Sequence, residues 1–173
     1  ERNVELPLKT KKVTKTRRAE LVERALSAVG LLSSRQAYPW QLSGGMQQRV
    51  AIARAVAYEP KVLLMDEPFA AVDAQTRADL EDLVRSIWQE FGVTILFVTH
   101  DIDEAVYLGQ RVLVLSSSPS VIQDDVKIGL PAERDQLLTR ADSQFTELRR
   151  HVYAEVQAAQ RLSDPRDRQR TIS

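Results

Sequence analysis

Apolar positions along the 173-residue chain alternate between helical and strand-like spacing. Leu21, Val22, Ala25, Leu26 and Val29 share one helical face and predict a helix over residues 16–29, with Gly30 as its C-cap. Residues 33–40 read as a loop. Ser43 then stands as the N-cap of a helix over 44–58, stopped by Pro60. The short apolar run in "KVLLMD" predicts a buried strand. "EPFAAVD" reads as a turn, and Asp73 as the cap of a helix carrying Leu80, Leu83, Val84, Ile87 and Phe91 up to Gly92. "VTILFVT" predicts a second buried strand, "DIDEAVYLG" a short helix and "RVLVLS" a third strand. Strands alternating with helices point to an α/β fold with a parallel sheet and crossover helices. Beyond Ser116 the pattern loosens. A last helix is expected over 142–162, with Phe145, Leu148, Val152 and Val156 on one side, followed by a disordered tail over 163–173.

Composition changes this picture little. With 43% hydrophobic and 28% charged residues, the chain is an ordinary globular sequence long enough for one sizeable core. Its formal net charge of +0 offers no global field for nucleic acid or an anionic membrane. The basic residues Lys9, Lys11, Lys12, Lys15, Arg17 and Arg18 read as a solvated loop and helix start. The absence of cysteine excludes disulfides, thiolate metal sites and a cysteine nucleophile. No apolar run approaches the ~18 residues of a membrane span. The opening "ERNVELPL" lacks a methionine and starts in mid-pattern, so a natural beginning upstream is expected.

Chemistry concentrates in three places. Ser43, Gly44 and Gly45 open a helix, where amides without intrahelical partners and the helix dipole favour an anion, and glycines let a phosphate approach the backbone. From these three residues alone, an ordinary N-cap with a flexible entry is the stronger reading. Asp66 and Glu67 end the first strand, at the sheet edge where α/β folds bind ligands. They read either as metal-holding and water-polarising groups or as solvated turn carboxylates. His100 leaves the second strand within "VTHD" and is either a phosphate contact or a structural residue. His151, in the terminal helix, carries no catalytic expectation.

Taken in order, these segments resemble the ATP-binding subunits of ABC transporters. "LSGGMQQRV" matches that family's signature motif, "VLLMDEP" its Walker B strand, "AAVD" its D-loop and "VTHD" its H-loop, and the likeness runs from about Asn3 to the terminal helix. The resemblance implies a partial P-loop NTPase (RecA-like) core with part of the helical subdomain and a C-terminal helix. It implies ATP and Mg²⁺ as cofactors. ATP would lie between two subunits arranged head to tail, with Leu42, Ser43, Gly44, Gly45, Met46 and Gln47 facing the partner's nucleotide. Asp66 would act on Mg²⁺, Glu67 as general base, His100 on the γ-phosphate, and Asp73 would couple the two sites. Transmembrane permease subunits, and indirectly a solute-binding protein, are the implied partners, at the cytoplasmic face of the membrane, with no nucleic acid.

None of the six glycines is followed by lysine, so G-x-x-x-x-G-K-S/T is absent from these residues. The expectation is therefore a C-terminal portion that begins inside the helical subdomain, lacks Walker A and the Q-loop, and is inactive alone. Its expected parts are residues 1–58 (helical subdomain), 59–118 (ATPase core) and 119–173 (C-terminal extension). The stretches around "VTHDIDEAVYLGQRVLVLS" and "LPAERDQLLTRADSQFTELRRHVYAEV" resemble the nitrate/sulfonate/taurine importer group. Ser120 stands where that group usually has glycine, Val72 where leucine is usual, and Trp40 where a polar residue is commoner. The alternatives are a non-transport ABC ATPase of DNA repair or translation, and a non-catalytic subunit supplying only the signature face.

Overall fold

The computed structural model describes residues 1–116, 118 and 120–161. The expected tail over 163–173 lies outside them, as does the end of the last helix at Leu162. The chain divides into two compact units, Glu1–Val98 and Thr99 onward.

The first unit opens with helices α1 (Arg2–Glu5), α2 (Lys15–Ala28) and α3 (Gly44–Val56), which pack on one another. Val4, Leu21, Val22, Ala25, Leu26, Ala53 and Val56 are buried on these helices. The stripe predicted for α2 is therefore its core face, because apolar side chains three and four apart leave water together. Gly30 follows at φ 70°, the left-handed conformation that glycine adopts without a Cβ clash. Three of the local basic residues find partners inside this unit. Arg17 pairs with Glu59 at 2.8 Å, Arg18 with Glu5 at 3.2 Å, and Lys11 Nζ donates to the Tyr58 carbonyl at 2.6 Å.

Strand β1 (Val62–Asp66), helix α4 (Ala74–Phe91) and strand β2 (Thr94–Val98) form a β–α–β unit whose strands pair in parallel, Val62 with Thr94 through Asp66 with Val98. α4 buries Leu80, Leu83, Val84 and Ile87 and ends on Gly92 at φ 60°. The strands are not buried on both faces as the sequence predicted. Leu63 and Met65 are buried, whereas Val62, Leu64, Leu96 and Val98 are 59%, 64%, 53% and 44% exposed. A continuous apolar run marks a strand with two apolar faces. It does not say that both are covered within the same unit.

The second unit comprises α5 (Ile102–Leu108), β3 (Arg111–Leu115), β4 (Ile122–Lys127), α6 (Leu138–Ala141) and α7 (Ser143–Arg161). Here the expected topology changes. β3 pairs with β4 in antiparallel fashion, Arg111 opposite Lys127, in a sheet of two strands. β4 escapes a periodicity reading because its run "IQDDVK" is mostly polar, leaving only Val126 buried. Arg111 grips Asp125 across the ladder with both its Nε and a terminal nitrogen. Val106, Tyr107, Val114, Val126, Ile128, Leu130, Phe145 and Val152 make this unit's core, with Leu148 and Val156 packed against it as their spacing predicted. Arg134 donates to the carbonyls of Val106 (3.2 Å), Tyr107 and Gly109 (3.1 Å), so its guanidinium closes the C-terminal end of α5.

Candidate functional site

Ser43 occupies the N-cap of α3 with extended backbone, and its Oγ accepts from the Met46 amide at 3.3 Å. The Gln47 amide reaches the Ser43 carbonyl at 2.9 Å. The earlier amides of the helix, those of Gly44 and Gly45, have no acceptor four residues upstream within the helix. The two glycines then part ways. A Cβ built on Gly44 would meet nothing within 4 Å, whereas one on Gly45 would lie 2.7 Å from Thr76 Cγ2. Gly45 is thus demanded by packing against α4. Gly44 faces open space. Gln47 Nε2 bonds the carbonyls of Pro39 and Leu42, both at 3.1 Å, and so holds the loop that enters Ser43.

Asp66 ends β1 opposite Val98 and is exposed; Glu67 follows, half-buried. Glu67 carries a left-handed backbone at φ 44°, uncommon for a residue other than glycine. Its amide donates to the Val98 carbonyl at 2.9 Å, extending the parallel ladder by one rung and holding the turn in that conformation. Backbone strain of this kind gathers at functional sites. Behind the turn, Phe69 is buried and its ring meets Phe97 at 5.4 Å.

Asp73 caps α4. Its Oδ1 accepts from the Thr76 amide at 3.0 Å and its Oδ2 from the Thr76 hydroxyl at 2.6 Å. The hydroxyl bond, then the amide bond, holds the Asp73 carboxyl below its ordinary value, so it stays ionised. The same Thr76 presents its methyl to Gly45, which links the start of α3 to the cap of α4. A second link comes from Gln48, whose Nε2 donates to the Pro68 carbonyl beside Glu67. Ser43, Gly44, Gly45, Asp66, Glu67 and Asp73 therefore belong to one unit. The anion-type helix start is fastened at two points to the turn and cap that carry the carboxylates. Neither Gln48 nor Gly45's reliance on Thr76 has a local sequence signal, because each partner lies 20 or more residues away. The Asp73–Thr76 spacing is readable as a cap pattern.

His100 lies in the second unit and is exposed. It sits between Thr99, whose hydroxyl donates to the buried Glu104 at 2.7 Å, and Asp101, whose Oδ1 accepts from the amides of Asp103 (2.9 Å) and Glu104 (3.2 Å). Its flanks on both sides are thereby anchored to the start of α5.

The parallel β–α–β unit is what a partial P-loop NTPase core contains, and comparison with known proteins makes the likeness specific. The ABC transporter family model matches residues 2–70. An uncharacterised ABC transporter ATP-binding protein of Methanocaldococcus jannaschii is 48% identical over 151 residues, 87% of this chain and 55% of the relative. The nitrate import ATP-binding protein NrtD of Synechocystis is 49% identical over 133 residues, 77% of this chain and 50% of the relative. The taurine import ATP-binding protein TauB of Escherichia coli is 39% identical over 158 residues, 89% of this chain and 62% of the relative. Among solved structures, cbiO1 of Clostridium perfringens, part of the ABC transporter complex cbiONQ, superposes with a TM-score of 0.60 at 32% identity, covering 64% of this chain and 44% of that one. The chain belongs to the ABC transporter ATP-binding proteins, and its relatives there include proteins named for nitrate and taurine import. It spans about half to three-fifths of the length of these curated relatives. Among the described residues no helix is long and apolar enough to cross a membrane.

Proposed function

We propose that these residues are the part of an ABC importer's ATP-binding subunit that closes over a partner's ATP and carries the hydrolytic carboxylates, and that the subunit energises uptake of a small anionic solute of the nitrate, sulfonate or taurine kind. One observation carries the reading. The Ser43-capped start of α3, open over Gly44, is tied through Gly45–Thr76 and Gln48–Pro68 to the Asp66–Glu67 turn and the Asp73 cap. The solute class rests on relatives named for nitrate and taurine import.

In this reading the amides of Gly44 and Gly45 and the Ser43 hydroxyl stabilise the γ-phosphate of ATP held by a second subunit arranged head to tail, with Leu42, Met46 and Gln47 shaping that face. Asp66 holds Mg²⁺, which neutralises phosphate charge when bound. Glu67 accepts the proton of the attacking water, and His100 contacts a phosphate oxygen. Asp73 keeps α4's start in register with the signature helix and so couples the two sites of the dimer. The assembly sits on permease subunits at the cytoplasmic face of the membrane, and a solute-binding protein delivers the solute. The three parts proposed are residues 1–58, 59–118 and 119–173. Because no G-x-x-x-x-G-K-S/T motif lies among these 173 residues, the chain alone is inactive in this reading.

The purified chain with Mg²⁺ and ATP is expected to release negligible phosphate. Robust Mg²⁺-dependent turnover that vanishes in Glu67→Gln would overturn the inactivity. Affinity capture from native membranes is expected to recover a permease. Recovery of DNA or ribosomes instead would overturn the importer assignment.

A further inference from the structure

The second unit contains a donor cluster unrelated to the nucleotide chemistry. His151 Nε2 lies 2.8 Å from Asp124 Oδ2, and Glu155 joins them, one donor atom from each residue lying within 4.8 Å of the others. Their placement follows from the fold. Asp124 stands two residues before the buried Val126, on the same face of β4 by strand alternation, and β4 packs against α7. His151 and Glu155 are one turn apart on α7, beside the stripe of Leu148, Val152 and Val156 that meets the core. The β3–β4 ladder shifts register between Val114 and Leu115, opposite Asp124, the kind of irregularity that re-aims a side chain. The Asp125 amide, donating to Asp124 Oδ1 at 2.8 Å, leaves Oδ2 turned to the imidazole.

From this geometry we infer a binding site for a divalent transition-metal ion, Zn²⁺ being the best fit, that staples α7 to β4 through Asp124, His151 and Glu155. Two carboxylates and one imidazole make a mixed oxygen and nitrogen donor set of the kind that holds a divalent transition metal. The imidazole favours zinc, nickel or cobalt over Mg²⁺ and Ca²⁺, which prefer all-oxygen shells. Tetrahedral zinc with bonds of about 2.0–2.2 Å needs donors roughly 3.3 Å apart. The His151–Asp124 contact therefore opens by about half an ångström on binding, while Glu155 closes in. Water completes the shell. The site lies in the C-terminal unit and requires neither ATP nor a second subunit.

The test is zinc titration of the untagged full chain by calorimetry, without nucleotide, with a parallel thermal melt. One zinc per chain is expected, with a raised melting temperature and no competition from excess Mg²⁺. His151→Ala and Glu155→Gln are each expected to weaken binding by more than about tenfold and to abolish the melting shift. His151 is about half exposed, so its replacement leaves the core intact. Absence of binding, affinity unchanged in both variants, or half a zinc per chain with dimer formation in sedimentation would overturn the proposal and leave Asp124–His151 as a hydrogen bond only. None of these outcomes bears on the ATPase reading, which uses none of Asp124, His151 and Glu155.

Discussion

A Cβ on Gly45 would lie 2.7 Å from the γ-methyl of Thr76, whose hydroxyl is held at 2.6 Å by Asp73. Thr76 cannot turn its methyl away without giving up that bond, because the two substituents on its Cβ rotate together. Gly45→Ala is therefore expected to destabilise the chain by about 1–3 kcal/mol through overpacking. Thr76→Ser, which keeps the hydroxyl and removes the methyl, should restore most of the loss in the double variant. Gly44→Ala should fold with no loss, since nothing lies within 4 Å of its Cβ. Chemical denaturation of the four variants checks this. Equal destabilisation by the two glycine changes would contradict the distinction.

The left-handed backbone of Glu67 makes a second expectation. A β-branched residue at that φ meets the steric cost that glycine avoids. Glu67→Val should be less stable than Glu67→Gly by roughly 1–2 kcal/mol, although both remove the same carboxylate. Denaturant midpoints compared at equal m-value decide it. Equal stabilities would show that the turn relaxes at no cost.

Acid should act on the α4 cap in a definite direction. Hydrogen bonds from the Thr76 hydroxyl and amide hold Asp73 below its ordinary value, so the folded state binds this proton less readily than the unfolded chain. The cap's contribution is complete above the unfolded value, about pH 4, and drains away as pH falls through the lower folded value. Asp125, held down by Arg111, and Asp135, held down by the amides of Leu138 and Leu137, act in the same sense. Asp73→Asn still offers a capping oxygen but does not titrate there. Its melting temperature should fall less than that of the parent between about pH 5 and pH 3. Identical pH profiles would remove Asp73 from the acid response.

One face of the β1–β2 pair presents Val62, Leu64, Leu96 and Val98 to solvent, with Leu64 and Leu96 directly opposed. Adjacent exposed apolar side chains on a sheet favour association. Leu64→Thr with Leu96→Thr keeps strand preference while removing apolar surface. Sedimentation of the purified chain should shift toward monomer in this variant, with unchanged helical circular dichroism. An unaltered association state would assign self-association to another surface.

What the sequence determined by itself was local. The Ser43 and Asp73 caps and the Gly92 terminus all appear where polar, glycine and apolar spacings placed them, because each interaction closes within about four residues. The order of the "LSGGMQQRV", "VLLMDEP" and "VTHD" segments was enough to point to the family that the comparisons show. Tertiary structure alone decided which strand β3 pairs with, since β4 is too polar to announce itself and pairing depends on partners across a loop. It alone separated Gly44 from Gly45, joined Gln48 to Pro68, and brought Asp124 to His151 and Glu155. Those contacts span 20 to 31 positions of chain, and no spacing rule reports the register of packed elements that creates them.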